Sequence, residues 1–303
     1  MSTTLYGQNF RLLTYDSTAA KYKCIGMSTT CTITQNTNTE SEETKDDVGL
    51  ATKPAVVSKS WQVSVESLNI ADVGAMLTAI KSKKLFTLLW DEVATEDNQT
   101  PEEAVYSRYG TAFLSDATFT FNDRANASKQ LQFSGTGPLD TVSPNNELIS
   151  AGSYTKGQYV RLFLGIDNTT TPSKVLASPQ SLSLHVSVSL ETISTKDTTG
   201  DWIAQEPTSI SYDISTSGLV HSSDTITSSV AAIDLEALQT IYEDAAPVLW
   251  QIANTSGANN RTKGIVICSG SASLTTLTVT APNRQVARYD ATLSGWGDYT
   301  VGA

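Results

Sequence analysis

The sequence is short of charge, histidine and cysteine, and it contains no long apolar run. Of its 303 residues, 17% are Asp, Glu, Lys or Arg, below the roughly 25% usual in soluble domains. Cys24, Cys31 and Cys268 are odd in number and fit neither a disulfide framework nor paired metal ligands, so free thiols and cytosolic synthesis are expected. No stretch approaches the ~18 apolar residues that span a bilayer, which argues against a membrane partner. The opening MSTTLYGQNFRLL lacks the basic and apolar regions of a secretion signal. Basic residues number 20 against 31 acidic ones, for a net charge of −11. A protein that grips nucleic acid needs a basic stripe to displace counterions, and none is present. An acidic wall would instead let a duplex slide past without adhering.

Catalytic patterns are missing too. His185 falls on the polar face of an alternating strand, where a solvated position is expected. His221, in GLVHSSD, has Ser222 and Asp224 nearby, but adjacent residues on an extended chain point apart. The acid pairs Asp91-Glu92 and Glu102-Glu103 read as solvated loops. Gly135-Thr136-Gly137-Pro138 lacks the Lys and Ser/Thr of a phosphate-binding loop. Glu40, Glu42, Glu43, Asp46 and Asp47 lack the alternation of a calcium loop, and Lys45 interrupts them. The expectation is a protein that is not an enzyme and uses no cofactor or metal.

What is present is a pattern written twice. QNFRLL (8–13) returns as QYVRLF (158–163), and FSGTG (133–137) returns as LSGWG (293–297). Between them, E-x-x-x-T-K-D-x-x-G occurs at 40–49 and again at 191–200. Glu40, Thr44, Lys45, Asp46 and Gly49 are thereby matched by Glu191, Thr195, Lys196, Asp197 and Gly200. Order and spacing together point to duplication of one module. The expected organisation is a first module at 1–140, a linker at 141–157 and a second module at 158–303.

Each module reads as mainly β. In the first, strands are expected over 10–15 and 23–34, then a long polar stretch without period over 35–59. Trp61, Val63 and Val65 alternate with polar residues as a half-buried strand. Val73, Met76, Leu77 and Ile80 follow at helical spacing, with Asp72 placed to cap them. The run at 84–90 reads as a buried strand, 109–114 and 117–121 read as two more, and Leu131 and Phe133 close the module. The second module repeats the order. Leu182, Leu184, Val186 and Val188 form its cleanest strand, and a helix is expected near 234–243 with Leu235, Leu238, Ile241 and Tyr242 on one side. In this reading Ile210 answers Trp61, and Leu277 and Val279 answer Phe119 and Phe121. The fold class expected is two tandem β-sandwich or barrel modules, each with one short flanking helix and a long polar loop.

That order of elements resembles the major tail tube proteins of tailed bacteriophages: two strands, a polar loop with E…TKD..G, a Trp-led strand SWQVSVESL, a short helix, an apolar strand and a closing FSGTGPL. The resemblance extends over nearly the whole chain, once per module. It implies a structural virion protein whose modules close rings of six around a channel, with the long loop reaching the next ring. Carried over, it implies inter-ring contacts for Glu40, Thr44, Lys45, Asp46 and Gly49, and for Glu191, Thr195, Lys196, Asp197 and Gly200. With two modules per chain, three chains would complete a ring, a homotrimeric pseudo-hexamer stacked head-to-tail on its copies. The resemblance also implies a virion tail location after synthesis in the host cytoplasm, and DNA passing through the lumen without specific binding. The partners it implies are a tape measure protein, a tail terminator and distal tail or baseplate proteins. A rival expectation is a carbohydrate-binding, adhesin-like tandem β protein of a virion surface, with Trp202 or Trp296 as the exposed aromatic. A hydrolase assembled from distant residues is the weakest reading.

Overall fold

The structure, a computed structural model, describes residues 7, 10–16, 21–41, 54–92, 107–141, 155–169, 171–176, 179–193, 202–220, 232–256 and 262–302. Its first half contains β1 (Phe10–Asp16), β2 (Lys21–Cys24), β3 (Ser28–Ser41), β4 (Pro54–Ser67), α1 (Val73–Lys81), β5 (Leu85–Glu92), β6 (Arg108–Asn122) and β7 (Ser128–Asp140). A 3-10 turn (Gly157–Tyr159) leads into β8 (Val160–Leu164), β9 (Lys174–Leu176), β10 (Pro179–Ile193), β11 (Ala204–Leu219) and β12 (Ala232–Ile233). The chain ends with α2 (Leu235–Asp244), β13 (Val248–Ser256), β14 (Thr262–Thr280) and β15 (Arg288–Val301). The fold is mainly β, as expected, with one α-helix in each half among the described residues.

Strand pairing follows one scheme in both halves. The first half runs β2-β1-β5-β6-β7-β4-β3 and the second β9-β8-β13-β14-β15-β11-β10, every neighbour antiparallel. The irregularities repeat as well. The β3–β4 ladder slips between Ser28 and Thr30 and between Asn38 and Thr39, and β10–β11 slips 151 residues later, at Pro179/Ser181 and Ser189/Leu190. The β6–β7 ladder slips at Tyr109/Thr111 and Leu114/Asp116, and β14–β15 slips 160 residues later, at Ser269/Ser271 and Leu274/Thr276. Bulges re-aim a strand and fix its register, so matched bulges place matched side chains on matched faces.

Several expectations need correction. The two halves share one sheet, which the sequence did not reveal: β6 pairs with β10, and the described strands form one 15-stranded sheet whose path stays open. The stretch 35–59 is partly strand, because β3 continues to Ser41 and β4 begins at Pro54. Its outer part is a two-stranded ribbon, since β7 covers β4 only from Gln62 onward. A ribbon with no buried face leaves no alternation to read. The strands expected at 109–114 and 117–121 are one, β6. By register, Tyr212 rather than Ile210 is the counterpart of Trp61, and Leu277 and Val279 answer Ala117 and Phe119.

The core explains why the corrected register is the meaningful one. Trp61 is 2% exposed, and its indole lies flat on β6 and β7 over Gly110 and Gly135. A Cβ at Gly135 would come within 2.1 Å of Cε2, so only glycine leaves room. Trp61 Nε1 donates to Gly137 O at 3.1 Å, which satisfies its one polar atom. In the second half the Tyr212 ring lies over Gly295, its hydroxyl and the Trp250 indole both reach Gly270, and its Oη donates to Ser271 O at 2.5 Å. Gly270 and Gly295 stand 160 residues after Gly110 and Gly135, and Tyr212 stands 151 after Trp61.

Both helices lay an apolar side on this core. Val73, Met76, Leu77 and Ile80 of α1 are buried, as their spacing predicts. Asp72 occupies the N-cap position of α1, yet its side chain makes no capping bond. It pairs instead with Lys129 Nζ, whose side chain is fully buried. In α2, Asp234 does cap, accepting from Ala237 N at 3.0 Å. Leu238 and Ile241 are buried there, while Tyr242 is 44% exposed.

Candidate functional site: an assembly interface

The surface of greatest interest is the one the chain makes with itself. Alternation of Leu182, Leu184, Val186 and Val188 with Ser and His gives β10 one apolar and one polar face. On the apolar face Leu182, Leu184 and Val186 stand opposite Phe121, Phe119 and Ala117 of β6. All six are at most 3% exposed. Burying a leucine or phenylalanine side chain contributes about 1.5–3 kcal/mol, so this patch binds the halves together rather than merely placing them side by side. Both halves accordingly share one hydrophobic cluster. On the polar face His185 lies near Asp116, with Nε2 2.7 Å from Oδ2 and the two side chains 41% and 35% exposed. His185 is thus half solvated, as its position predicts, and also bonded across the junction.

Two further contacts fix the junction. Tyr299 Oη on β15 donates to Leu77 O at 2.8 Å, and Lys81 Nζ donates to Tyr299 O at 2.9 Å, so α1 is held by the second half. At the other side, Gly137 N donates to Ile203 O at 2.9 Å, Ile203 N donates to Lys59 O at 3.1 Å, and Gln205 N donates to Thr136 Oγ1 at 3.0 Å. Residues 202–205 therefore lie over the ends of β4 and β7, with Lys59 Nζ 6.0 Å from the Trp202 ring centre. The end of the expected linker is tied down as well. Ala127 N donates to Thr155 O, and Gly157 N donates to Ala125 O, both at 2.9 Å.

Of the loop residues singled out in the sequence, Glu40 and Glu191 are described. Glu40 lies exposed near the end of β3 opposite Ala55, and Glu191 lies exposed near the end of β10 opposite Glu206. They hold the same register position in the two ribbons, 151 residues apart. Thr44, Lys45, Asp46, Gly49, Thr195, Lys196, Asp197 and Gly200 lie outside the described residues. So do His221, Glu102 and Glu103. Asp91 is fully buried in β5 rather than in a solvated loop.

Among the described residues no group of three His, Cys, Asp or Glu is placed to hold a metal ion. No described helix is long and apolar enough to cross a membrane. The thiols are poor nucleophiles. Burial raises Cys24 to about 11 and Cys268 to about 12, and it raises Cys31 to about 12 despite a bond from Trp90. Burial likewise lowers the Lys129 ammonium, against the opposing pull of Asp72. Sequence reasoning missed Lys129 as an inward residue, although its parity with Leu131 and Phe133 places it on the core face.

No family model matches the chain, and no curated protein matches it. Solved structures do. The tail of an empty gene transfer agent particle, determined by helical refinement with C6 symmetry, is 16% identical with a TM-score of 0.39, over 49% of this chain and 99% of that one. The virion of a native gene transfer agent particle contains a chain 14% identical with a TM-score of 0.36, over 49% of this chain and 99% of that one. The SPP1 tail tube, from solid-state NMR and cryo-EM, is 14% identical with a TM-score of 0.34, over 48% of this chain and 78% of that one.

Proposed function

We propose that this chain is a structural virion protein that polymerises into stacked rings, forming the tube through which a phage genome leaves the particle. The observation that supports this most directly is the repetition of strand order, bulges and glycine-cradled aromatic in two halves that join edge to edge through β6 and β10. In this reading the chain is a duplicated module, with modules at 1–140 and 158–303 and a linker at 141–157. Two similar units joined by an asymmetric contact have one unfilled edge at each end, which is the arrangement that builds rings. Three chains then make a ring with true threefold and approximate sixfold symmetry.

The role is architectural rather than catalytic. The two ribbons that carry Glu40 and Glu191 extend beyond the packed sheet, and the loops at their tips would dock on the neighbouring ring. Thr44, Lys45, Asp46 and Gly49, with Thr195, Lys196, Asp197 and Gly200, belong to those contacts. The location is the virion tail. Tape measure, terminator and distal tail proteins are the expected partners, and the acidic balance suits a lumen that repels DNA. Electron microscopy of the purified protein tests the reading. Hollow tubes of uniform width with three chains per ring are expected; rings of six chains would defeat the trimeric arrangement, and persistent monomers would defeat the tube.

One observation favours a carbohydrate-binding surface protein instead, namely that Trp296 is 58% exposed on β15. Selective glycan binding by the monomer, abolished by Trp296→Ala, would support that rival.

A further inference from the structure

The junction inside the chain has a second, unfilled copy of itself at the chain's outer edges. The strand that β10 matches in the first half is β3, and the strand that β6 matches in the second half is β14. Resting on the ring reading above, we propose that β3 of one copy pairs antiparallel with the β14 segment near 276–281 of the next copy, in the register that β10 and β6 already use. Transferring that register residue by residue sets Thr32 opposite Thr280, Ile33 opposite Val279 and Thr34 opposite Thr278.

Four observations carry this. First, both edges are open among the described residues: β3 pairs with β4 alone, and β13 leaves β14 at Ala272, so Ser273–Thr280 pair with β15 alone. Second, the apolar face is incomplete where the internal junction is complete. Phe119 is fully buried against Leu184, whereas its counterpart Val279 is 46% exposed, and Ile33, the counterpart of Leu184, is only half-buried. Third, residues 30–36 (TCTITQN) and 276–282 (TLTVTAP) contain no charge. Open strand edges are normally blunted by lysine or another charge, and an edge without one suits occupation by another strand. Fourth, Thr136 is met by Gln205 at the internal junction, while its counterpart Trp296 is exposed. A neighbouring copy seated on β14 would bring its own β3–β4 ribbon beside Trp296.

The contact is heterologous, since β3 and β14 are different surfaces, and it closes only if the rotation between copies divides a full turn. A rotation equal to twice that between the halves closes after three chains when the halves are related by one sixth of a turn.

Cross-linking in assembled protein tests the register. In a Cys31→Ser background, Thr34→Cys with Thr278→Cys should link copies on oxidation into covalent dimers and trimers, with nothing larger within a ring. Thr34→Cys with Thr280→Cys, two residues out of register, should yield at least about tenfold less, because diagonal pairs stand too far apart to bridge. In the unaltered protein, amides of 30–36 and 276–281 should exchange at least about tenfold more slowly in tubes than in unassembled chains. If tubes form but the out-of-register pair links instead, or these amides gain no protection, this interface is wrong while the ring reading stands. If no assembly forms under any condition, both fail.

Discussion

Replacing Gly135 by alanine probes the packing that both halves repeat. The added Cβ would lie 2.1 Å from Trp61 Cε2 and 2.3 Å from Cδ2, where unstrained carbon contacts need about 3.5–4.0 Å. The indole has little freedom to retreat: it is 2% exposed, and its Nε1 is bonded to Gly137 O. Overpacking of this kind costs about 1–3 kcal/mol, and the contact here is severe enough to place the loss near ~3 kcal/mol. Trp61→Ala alone should cost about 3–5 kcal/mol through the cavity it leaves. If the methyl group is harmful because of the indole, the double variant should be no worse than Trp61→Ala, giving a coupling of about 3 kcal/mol in a double-mutant cycle. Urea unfolding of unassembled chains, followed by far-UV circular dichroism, measures each midpoint. Gly295→Ala with Tyr212→Ala should show the same coupling, because that Cβ would lie 2.5 Å from Tyr212 Cζ. Additive losses in both cycles would refute the argument that the glycines exist to admit the rings.

Asp72→Asn should destabilise the chain by about 2–4 kcal/mol, because it leaves the buried Lys129 ammonium without its counter-charge. Lys129→Met combined with Asp72→Asn should recover part of that loss in the same assay. Because burial lowers the folded-state ammonium below its unfolded value, the unfolded chain binds more protons in the window between the two. The Lys129 contribution to stability should therefore rise with pH across that window, and denaturant midpoints of wild type and Lys129→Met should diverge with that sign. Tyr299→Phe removes a buried donor to Leu77 O and should cost about 1–3 kcal/mol, read as a lower urea midpoint. With thiols raised to about 11 and 12 by burial, Cys24 and Cys268 should resist a disulfide reagent at pH 8 in the native chain and react after denaturation.

Much of this fold is legible in the sequence wherever one face of an element is buried. The alternation in 182–188, the Trp61–Val65 strand and the i, i+3, i+4, i+7 pattern of α1 all report a core on one side. The ribbons formed by β3–β4 and β10–β11 are not legible in the same way, because neither face of their outer part is covered and polar residues fill both. Register between the halves is a subtler matter. Matching Trp61 to Ile210 by eye puts the aromatic two residues away from Tyr212, and only the ladder to β7 and β15 reveals which residue meets the glycines. The glycine pairs at 110 and 270 and at 135 and 295 are visible in the sequence, but their meaning depends on a ring arriving from a strand far away. The β6–β10 pairing was hidden for the same reason: it joins segments whose apolar faces look, locally, like any half-buried strand. For the loop motifs around Lys45 and Lys196, the ribbons give only the starting points, at Glu40 and Glu191.

The most direct test is a helical reconstruction of assembled tubes refined without symmetry higher than threefold. Three chains in each ring, with the contact between chains superimposing on the contact between the halves of one chain, is the predicted outcome. A ring of six chains, or chains that meet through surfaces unrelated to β3 and β14, would contradict it.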